Sequence, residues 1–383
     1  MVIHAHHSQS LGSGEMKRII NINIDIAGII TDKIVEVEFY SFRDYKFVHT
    51  EGQFKLSNKV FKKYYIPNIA HLGILNSLYC SLVISFLCVR FKPTHYIEEW
   101  ILPLGLRKLR NLLFRETQLI LDIHGAAPEE AFYSTGIVHK NLENSEYHSI
   151  SIADYIVCQS DEMKRHLIKK YGCDENCICV YRCGVDTNVF NLNEANRILI
   201  RKQLKLSEDD KLFVYSGGVH KWQKVSVALK YFQNYHTRYP SSKMLVLTKD
   251  VEGFYKIVND ERLENLSPDL IVKSLPYNEV PLYLNASDVS FLIRDDVLMN
   301  AVASPTKLAE YMACGLPVIS SSVAVNWLTP EGMNYVINFE NTDVEKLHTI
   351  LSSIDRKLIS NYSINTLSLA IDRARVKHFF LGI

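Results

Sequence analysis

The chain of 383 residues has no excess of charge. Its 43 Lys and Arg nearly cancel 42 Asp and Glu, for a net charge of +1, so no bulk field favours nucleic acid. It has no acidic or basic tail, no low-complexity block and no internal repeat, which excludes repeat and compositionally biased classes. The first ten residues, MVIHAHHSQS, lack a charged region followed by a long apolar run, so no secretory leader is expected. Eight cysteines follow no secreted framework, and a reducing cytoplasm is the expected compartment. Cys173, Cys177, Cys179 and Cys183 cluster, but their spacing matches no common zinc site. A strand and turn over ICVYRCGVD with small buried thiols accounts for them equally well.

What remains is globular: 47% hydrophobic and 22% charged, in a chain too long for one ordinary core. Strand-like runs occur at VIHAH (2–6), VEVEFYS (35–41), LILDIHG (119–125), YIVCQS (155–160) and CICVYR (177–182). The pattern restarts at LFVYSGG (212–218), followed by KMLVLTKD, LIVKSLPY, VSFLIRD and PVISSS. Helical segments such as DEMKRHLIKKYG and KVSVALKYFQNYHTRY separate the runs. This alternation predicts an α/β fold of two Rossmann-like parallel-sheet domains facing across a cleft, with ligands at the carboxyl ends of the strands. The expected domains span 1–190 and 191–365, with a terminal helix over 366–383 that either ends the second domain or crosses back to the first. One segment, IAHLGILNSLYCSLVISFLCV (69–89), carries no charged residue and approaches the length of a membrane span. Its regularly spaced Asn76, Ser77, Ser81 and Ser85 favour a buried or interfacial helix instead.

The chemistry concentrates in SPTKLAEYMACGLPVIS (304–320). Ser304 is a suitable N-cap and Pro305 suits the first helical position. The amides of Thr306 and Lys307 then lack partners inside the helix, and with the helix dipole and the Lys307 charge they offer an anion site. Glu310 lies about 9 Å further along the axis, at ~1.5 Å per residue, where a carboxylate can accept two hydrogen bonds from a vicinal diol. An anion at one end and a diol a few ångströms away describe a nucleoside diphosphate. The competing description is a capped helix with a surface Lys307–Glu310 pair. A second loop, YSGGVHKWQK (215–224), follows a strand; Gly217 and Gly218 let backbone approach a phosphate, with Lys221 or Lys224 to neutralise it.

The stretch Glu310-Tyr-Met-Ala-Cys-Gly-Leu-Pro-Val-Ile resembles the nucleotide-binding segment of retaining glycosyltransferases of family 4, which have a two-domain B-type (GT-B) fold. In many members a first glutamate lies eight positions earlier, on what is Val302 here. The S-P-T-K lead-in resembles a subset found in bacterial surface-polysaccharide assembly. RCGVDTNVF (182–190) resembles the segment preceding the family's second domain, and Gly218 stands where the glycine loop usually carries an arginine. The resemblance implies a retaining glycosyltransferase, hexosyltransferase-like, that uses a UDP- or GDP-sugar donor and a saccharide or lipid-linked saccharide acceptor. It requires no metal or other cofactor. The balanced charge predicts no nucleic-acid partner, the cysteines a cytoplasmic setting, and the 69–89 helix peripheral contact at the inner face of the plasma membrane. The resemblance also implies His124 beside the donor sugar, Lys224 and Lys307 at the departing diphosphate, and Tyr277 near the base. Arg294 either reaches a phosphate or pairs with Asp295 or Asp296. Gly12, Ser13 and Gly14 fit the acceptor side, and Glu129 or Glu130 either binds acceptor hydroxyls or caps the following helix. A nucleotide-sugar epimerase or hydrolase and a non-catalytic nucleotide-binding subunit are the alternatives.

Overall fold

The computed structural model describes residues 1–7, 23–31, 33–40, 60–68, 74–99, 102–103 and 105–382. Gly12, Ser13 and Gly14, expected on the acceptor side, lie outside the described residues. The chain divides into two compact units, Met1–Arg182 with Asp372–Ile383, and Cys183–Ile371.

The first unit holds a seven-stranded parallel sheet: β1 (Val2–His7), β2 (Ile34–Tyr40), β3 (Val60–Pro67), β4 (His95–Glu99), β5 (Gln118–Ile123), β6 (Tyr155–Cys158) and β7 (Ile178–Val180), in the order β3-β2-β1-β4-β5-β6-β7. On one face Val2, Ile34, Ile97, Ile120 and Val157 pack with Ile26, Tyr181 and Val376. Val376 belongs to the last helix, Leu369–Leu381, most of which counts with this unit. Two strands went unrecognised in the sequence. In β3 the charges of Lys62 and Lys63 hide the strand, but Lys63 is neutralised from the neighbouring strand by Glu36 (3.2 Å) and Glu38 (2.9 Å). In β4 the acidic Glu98 is buried and accepts from the Tyr96 hydroxyl.

The second unit holds a six-stranded parallel sheet: β8 (Leu212–Ser216), β9 (Lys243–Leu247), β10 (Leu270–Lys273), β11 (Val289–Leu292), β12 (Val318–Ser320) and β13 (Val336–Asn338), in the order β10-β9-β8-β11-β12-β13. Both sheets have the doubly wound Rossmann order, in which the first strand lies beside the fourth. The gap between those two strands is the switch point where ligands bind. In the second unit the switch point lies between β8 and β11, so the residues that leave those strands, Gly217 and Arg294, flank it.

Candidate nucleotide-binding site

The helix expected after Ser304 spans Thr306–Ala313, and Leu308 through Ala313 are all buried. Burying Leu308 and Met312 alone is worth about 1.5–3 kcal/mol each, and this fixes the helix against the core. Its carboxyl end is closed in three ways. Gly315 has φ +75°, and a Cβ there would fall 2.8 Å from the Arg356 carbonyl oxygen. The Arg356 guanidinium donates to the carbonyls of Cys314 (3.0 Å) and Gly315 (3.3 Å). Ser360 and Ser363 donate to the carbonyls of Ala313 and Ala309. With one end sealed, the amino end is the open terminus.

That amino end begins one residue later than the sequence suggests. Pro305, with φ −70° and ψ 118°, occupies the cap position, and no side chain caps the helix. Ser304 is not the cap: it is buried, and its hydroxyl accepts from the Cys183 amide at 3.3 Å. A long-range partner has therefore claimed the group that local chemistry would use. Since no side chain takes them, the first-turn amides of the helix keep their anion-binding character.

The glycine loop and this helix meet. Gly217 has φ +138°, a conformation that favours glycine, and a Cβ there would displace the flexible end of the Lys307 side chain. The Lys307 ammonium lies 5.1 Å from the centre of the Tyr215 ring and donates to Gln223 Oε1 at 2.6 Å. Gln223 Oε1 is also within 2.6 Å of the Tyr215 hydroxyl, which in addition reaches the Gly218 carbonyl. Burial pushes the Tyr215 hydroxyl far above its ordinary range, so it stays neutral. Tyr311, from the helix, accepts from the Ser216 amide at 2.8 Å and locks the loop to the helix. Gln223 was not singled out in the sequence; a neutral amide in a loop carries no local signal of this bridging role.

The two lysines of the loop differ. Lys224, in the left-handed region at φ 47°, pairs with Asp295 at 2.6 Å. Lys221 is exposed in a short turn and has no such partner among the described residues. Asp295 is thereby engaged with Lys224, and Arg294 takes no ion pair from it or from Asp296. The Arg294 residue keeps partial exposure, yet its Nε is closed off from solvent and has no hydrogen-bond partner. Burial lowers its affinity for a proton, with only the polar side chains of Tyr215, Tyr311 and Cys183 acting in the other direction.

Further along, Glu310 is buried, and its Oε1 accepts from the Tyr277 hydroxyl at 3.2 Å. The Tyr277 ring is 40% exposed and leans on Phe190 at 5.2 Å between centroids. Burial, and then the Glu310 charge, hold its hydroxyl neutral. Val302, where the resembling family often has an acid, is buried and apolar. The second unit thus brings together Gly217, Gly218, Lys307, Arg294, Thr306, Glu310 and Tyr277, with Lys224 tied to Asp295 at the side.

In the first unit, His124 follows β5 and its Nε2 is 2.5 Å from Asp122 Oδ2. Glu129 stands in the first turn of the helix Ala127–Thr135. Burial alone would raise its carboxyl, but His166 and Lys170 outweigh burial and hold it at about 2; Lys170 Nζ lies 2.7 Å away. Among the described residues, the group able to hold a metal ion is His6, Glu36 and Glu38, whose ligand atoms lie within 4.8 Å of one another, and not the clustered cysteines. The Lys63 ammonium already bridges the two glutamates.

Residues 196–326 match the sequence model of the family described as glycosyl transferases group 1. That span contains the glycine loop, Arg294 and the Thr306–Ala313 helix. Among solved structures, HepE of Anabaena in complex with UDP is 13% identical with a TM-score of 0.69, covering 100% of both chains. Sucrose-phosphate synthase from Thermosynechococcus elongatus is 15% identical with a TM-score of 0.66, over 99% of this chain and 94% of that one. WaaG, a glycosyltransferase involved in lipopolysaccharide biosynthesis, is 11% identical with a TM-score of 0.67 over 100% of both chains. No curated protein sequence matches the chain. The fold is that of the B-type glycosyltransferases, two Rossmann-like units each built on a parallel sheet.

Proposed function

We propose that the protein is a glycosyltransferase that moves a sugar from a nucleoside-diphosphate sugar to a hydroxyl acceptor. The observation that carries this reading is Arg294, a guanidinium at the switch point of the second sheet with a sealed Nε and, among the described residues, no hydrogen-bond partner for it and no ion pair. A buried donor left without an acceptor costs stability, and a diphosphate is the ligand that would offset that cost here. Arg294, the Lys307 ammonium and the first-turn amides supply the fixed positive charge that an anionic leaving group needs as the bond to the sugar breaks. Glu310 then takes the ribose diol, displacing the Tyr277 hydroxyl, whose ring is left to flank the base. Lys224 reaches the diphosphate only by leaving Asp295; otherwise it serves to hold Asp295 away from Arg294.

Uridine is the base we favour, since HepE is similar in fold and was solved with UDP and with UDP-glucose; guanosine is the competing one. In the first unit, His124 is proposed to meet a sugar hydroxyl, its tautomer set by Asp122, and Glu129, held ionised, either serves an acceptor or only anchors Lys170. Retention of anomeric configuration follows from the family resemblance, and a role in surface-polysaccharide assembly from the S-P-T-K lead-in. The eight cysteines are all free, which supports a cytoplasmic setting.

The test has two stages. UDP and GDP are screened for thermal stabilisation, which at one hundred times the dissociation constant is worth about 2.7 kcal/mol. The nucleotide that binds is then supplied as its sugar, and products are analysed with and without saccharide acceptors. Transfer only with acceptor is the expected result. Sugar loss or isomerisation without acceptor would replace transfer by hydrolysis or epimerisation, and binding without turnover would leave a nucleotide-binding subunit.

A further inference from the structure

The uncharged helix of the first unit is explained neither by the donor site nor by the core. It spans Ile74–Phe91 and is long and apolar enough to cross a membrane by length and composition. One face is used inside the unit: Cys80, Ser81, Ile84, Ser85, Leu87 and Cys88 are buried. The Ser81 and Ser85 hydroxyls donate to carbonyls of their own helix, at 2.8 and 2.6 Å, so they are satisfied internally and leave a narrow face for close packing. The opposite face is apolar too, and open. Ile74 is 68% exposed, Leu75 61%, Leu78 46%, Leu82 62%, Phe86 65% and Val89 46%. At 100° per residue these six positions fall within one arc of about 120°. A continuous exposed apolar stripe of this kind marks an interaction surface rather than ordinary surface scatter.

The surroundings choose the partner. The stripe is bordered by exposed cations: Arg90 and Lys92 at the end of the helix, and Arg107 and Lys108 in the next helix, Leu106–Leu113. A side-chain carbon at Gly105, which precedes that second helix, would lie 3.5 Å from Leu78 of the stripe. Leu112 and Leu113, 79% and 49% exposed, extend the apolar surface onto it. None of the four cations makes an ion pair among the described residues. Apolar side chains rimmed by unpaired cations fit an anionic lipid surface, where the chains enter the headgroup boundary and the cations meet phosphate. A transmembrane path does not fit, because Ile84 and Cys88 are 0% and 1% exposed in the folded unit and extraction would open its interior.

We infer that the Ile74–Phe91 helix is an in-plane membrane anchor that docks the first unit on an anionic bilayer through Leu75, Leu78, Leu82, Phe86 and Val89. The inference goes beyond the transferase reading and does not depend on it.

The test is flotation of the full chain with vesicles of phosphatidylcholine alone or with about one third phosphatidylglycerol. The anionic vesicles should carry most of the protein, and raised salt should weaken this, since each cation near the surface contributes about fivefold in affinity. The double substitution Leu82→Glu with Phe86→Glu should cut flotation on both vesicles by about tenfold or more. Arg107→Glu with Lys108→Glu should remove the preference for anionic vesicles. All four sites are solvent-exposed, and an unchanged melting temperature confirms that each variant is folded. The inference is overturned if the wild-type chain floats with neither vesicle, or if Leu82→Glu with Phe86→Glu floats like wild type. It is also overturned if the stripe instead holds a dimer in lipid-free solution that this double substitution splits.

Discussion

Arg294→Met should make the protein more stable and worse at binding its ligand. The substitution keeps length and apolar bulk and removes the charge. In the free protein the Arg294 Nε is sealed without a partner, and such a group costs about 1–3 kcal/mol. Removing it should therefore raise the melting temperature of the second unit, by about 2–4 °C per kcal/mol for a unit of this size. With a diphosphate present the balance reverses. A hydrogen bond from a guanidinium to a phosphate oxygen is worth about 1.5–3 kcal/mol, so UDP affinity should fall about 10- to 150-fold. Calorimetric titration with UDP and a thermal melt of the free protein give the two numbers. Their opposite signs are what the reasoning requires, because a structural arginine would lower stability and leave affinity alone. Loss of stability with unchanged UDP binding would refute it.

Other residues make separate predictions. Glu310→Ala should weaken UDP binding strongly, by about tenfold or more, whereas Tyr277→Phe should change it little, since that hydroxyl must leave Glu310 anyway; unchanged affinity in Glu310→Ala, measured by the same titration, would remove the ribose role. Lys307→Ala should cost more turnover than Lys224→Ala, because Lys224 is paired with Asp295 and Lys307 reaches the glycine loop; equal losses in kcat would place both lysines at the diphosphate. His4 is buried beside His6, and burial, then His6, hold its imidazole at about 3, below the ordinary 6.5. Between those values the unfolded chain binds a proton that the folded one does not, so this contribution to stability is complete above pH 6.5 and is lost as the pH falls toward 3. At pH 5.5 the loss should be about 1.4 kcal/mol, seen in urea melts of wild type and absent in His4→Gln.

Much of the second unit was legible because its strands are short apolar runs ended by glycine, proline or polar residues, from LFVYSGG to PVISSS. β13 was missed because Val336–Asn338 is only three residues long and has no alternation to read. The first unit hid β3, whose Lys63 is neutralised across the sheet by Glu36, and β4, whose buried Glu98 accepts from Tyr96 of the same strand; both pairings exist only after folding. In the site, the Ser304–Glu310 stretch announced itself by local helix chemistry, and even there the cap was displaced by the Cys183 amide, 121 positions away. The choice of Lys224 by Asp295 rather than its neighbour Arg294 could not be read, since Lys224 lies far away in the sequence and only the folded loop brings it to Asp295. The isolation of Arg294, which matters most to the functional reading, is a property of packing and leaves no trace in the order of residues.

The central claim is that a nucleoside diphosphate sits at the amino end of Thr306–Ala313, and a crystal structure with UDP bound tests it most directly. The pyrophosphate should lie on the amides of Thr306 and Lys307 with the Arg294 guanidinium against it, and the ribose hydroxyls on Glu310 in place of Tyr277. UDP bound elsewhere, with Arg294 still without a partner, would contradict the account.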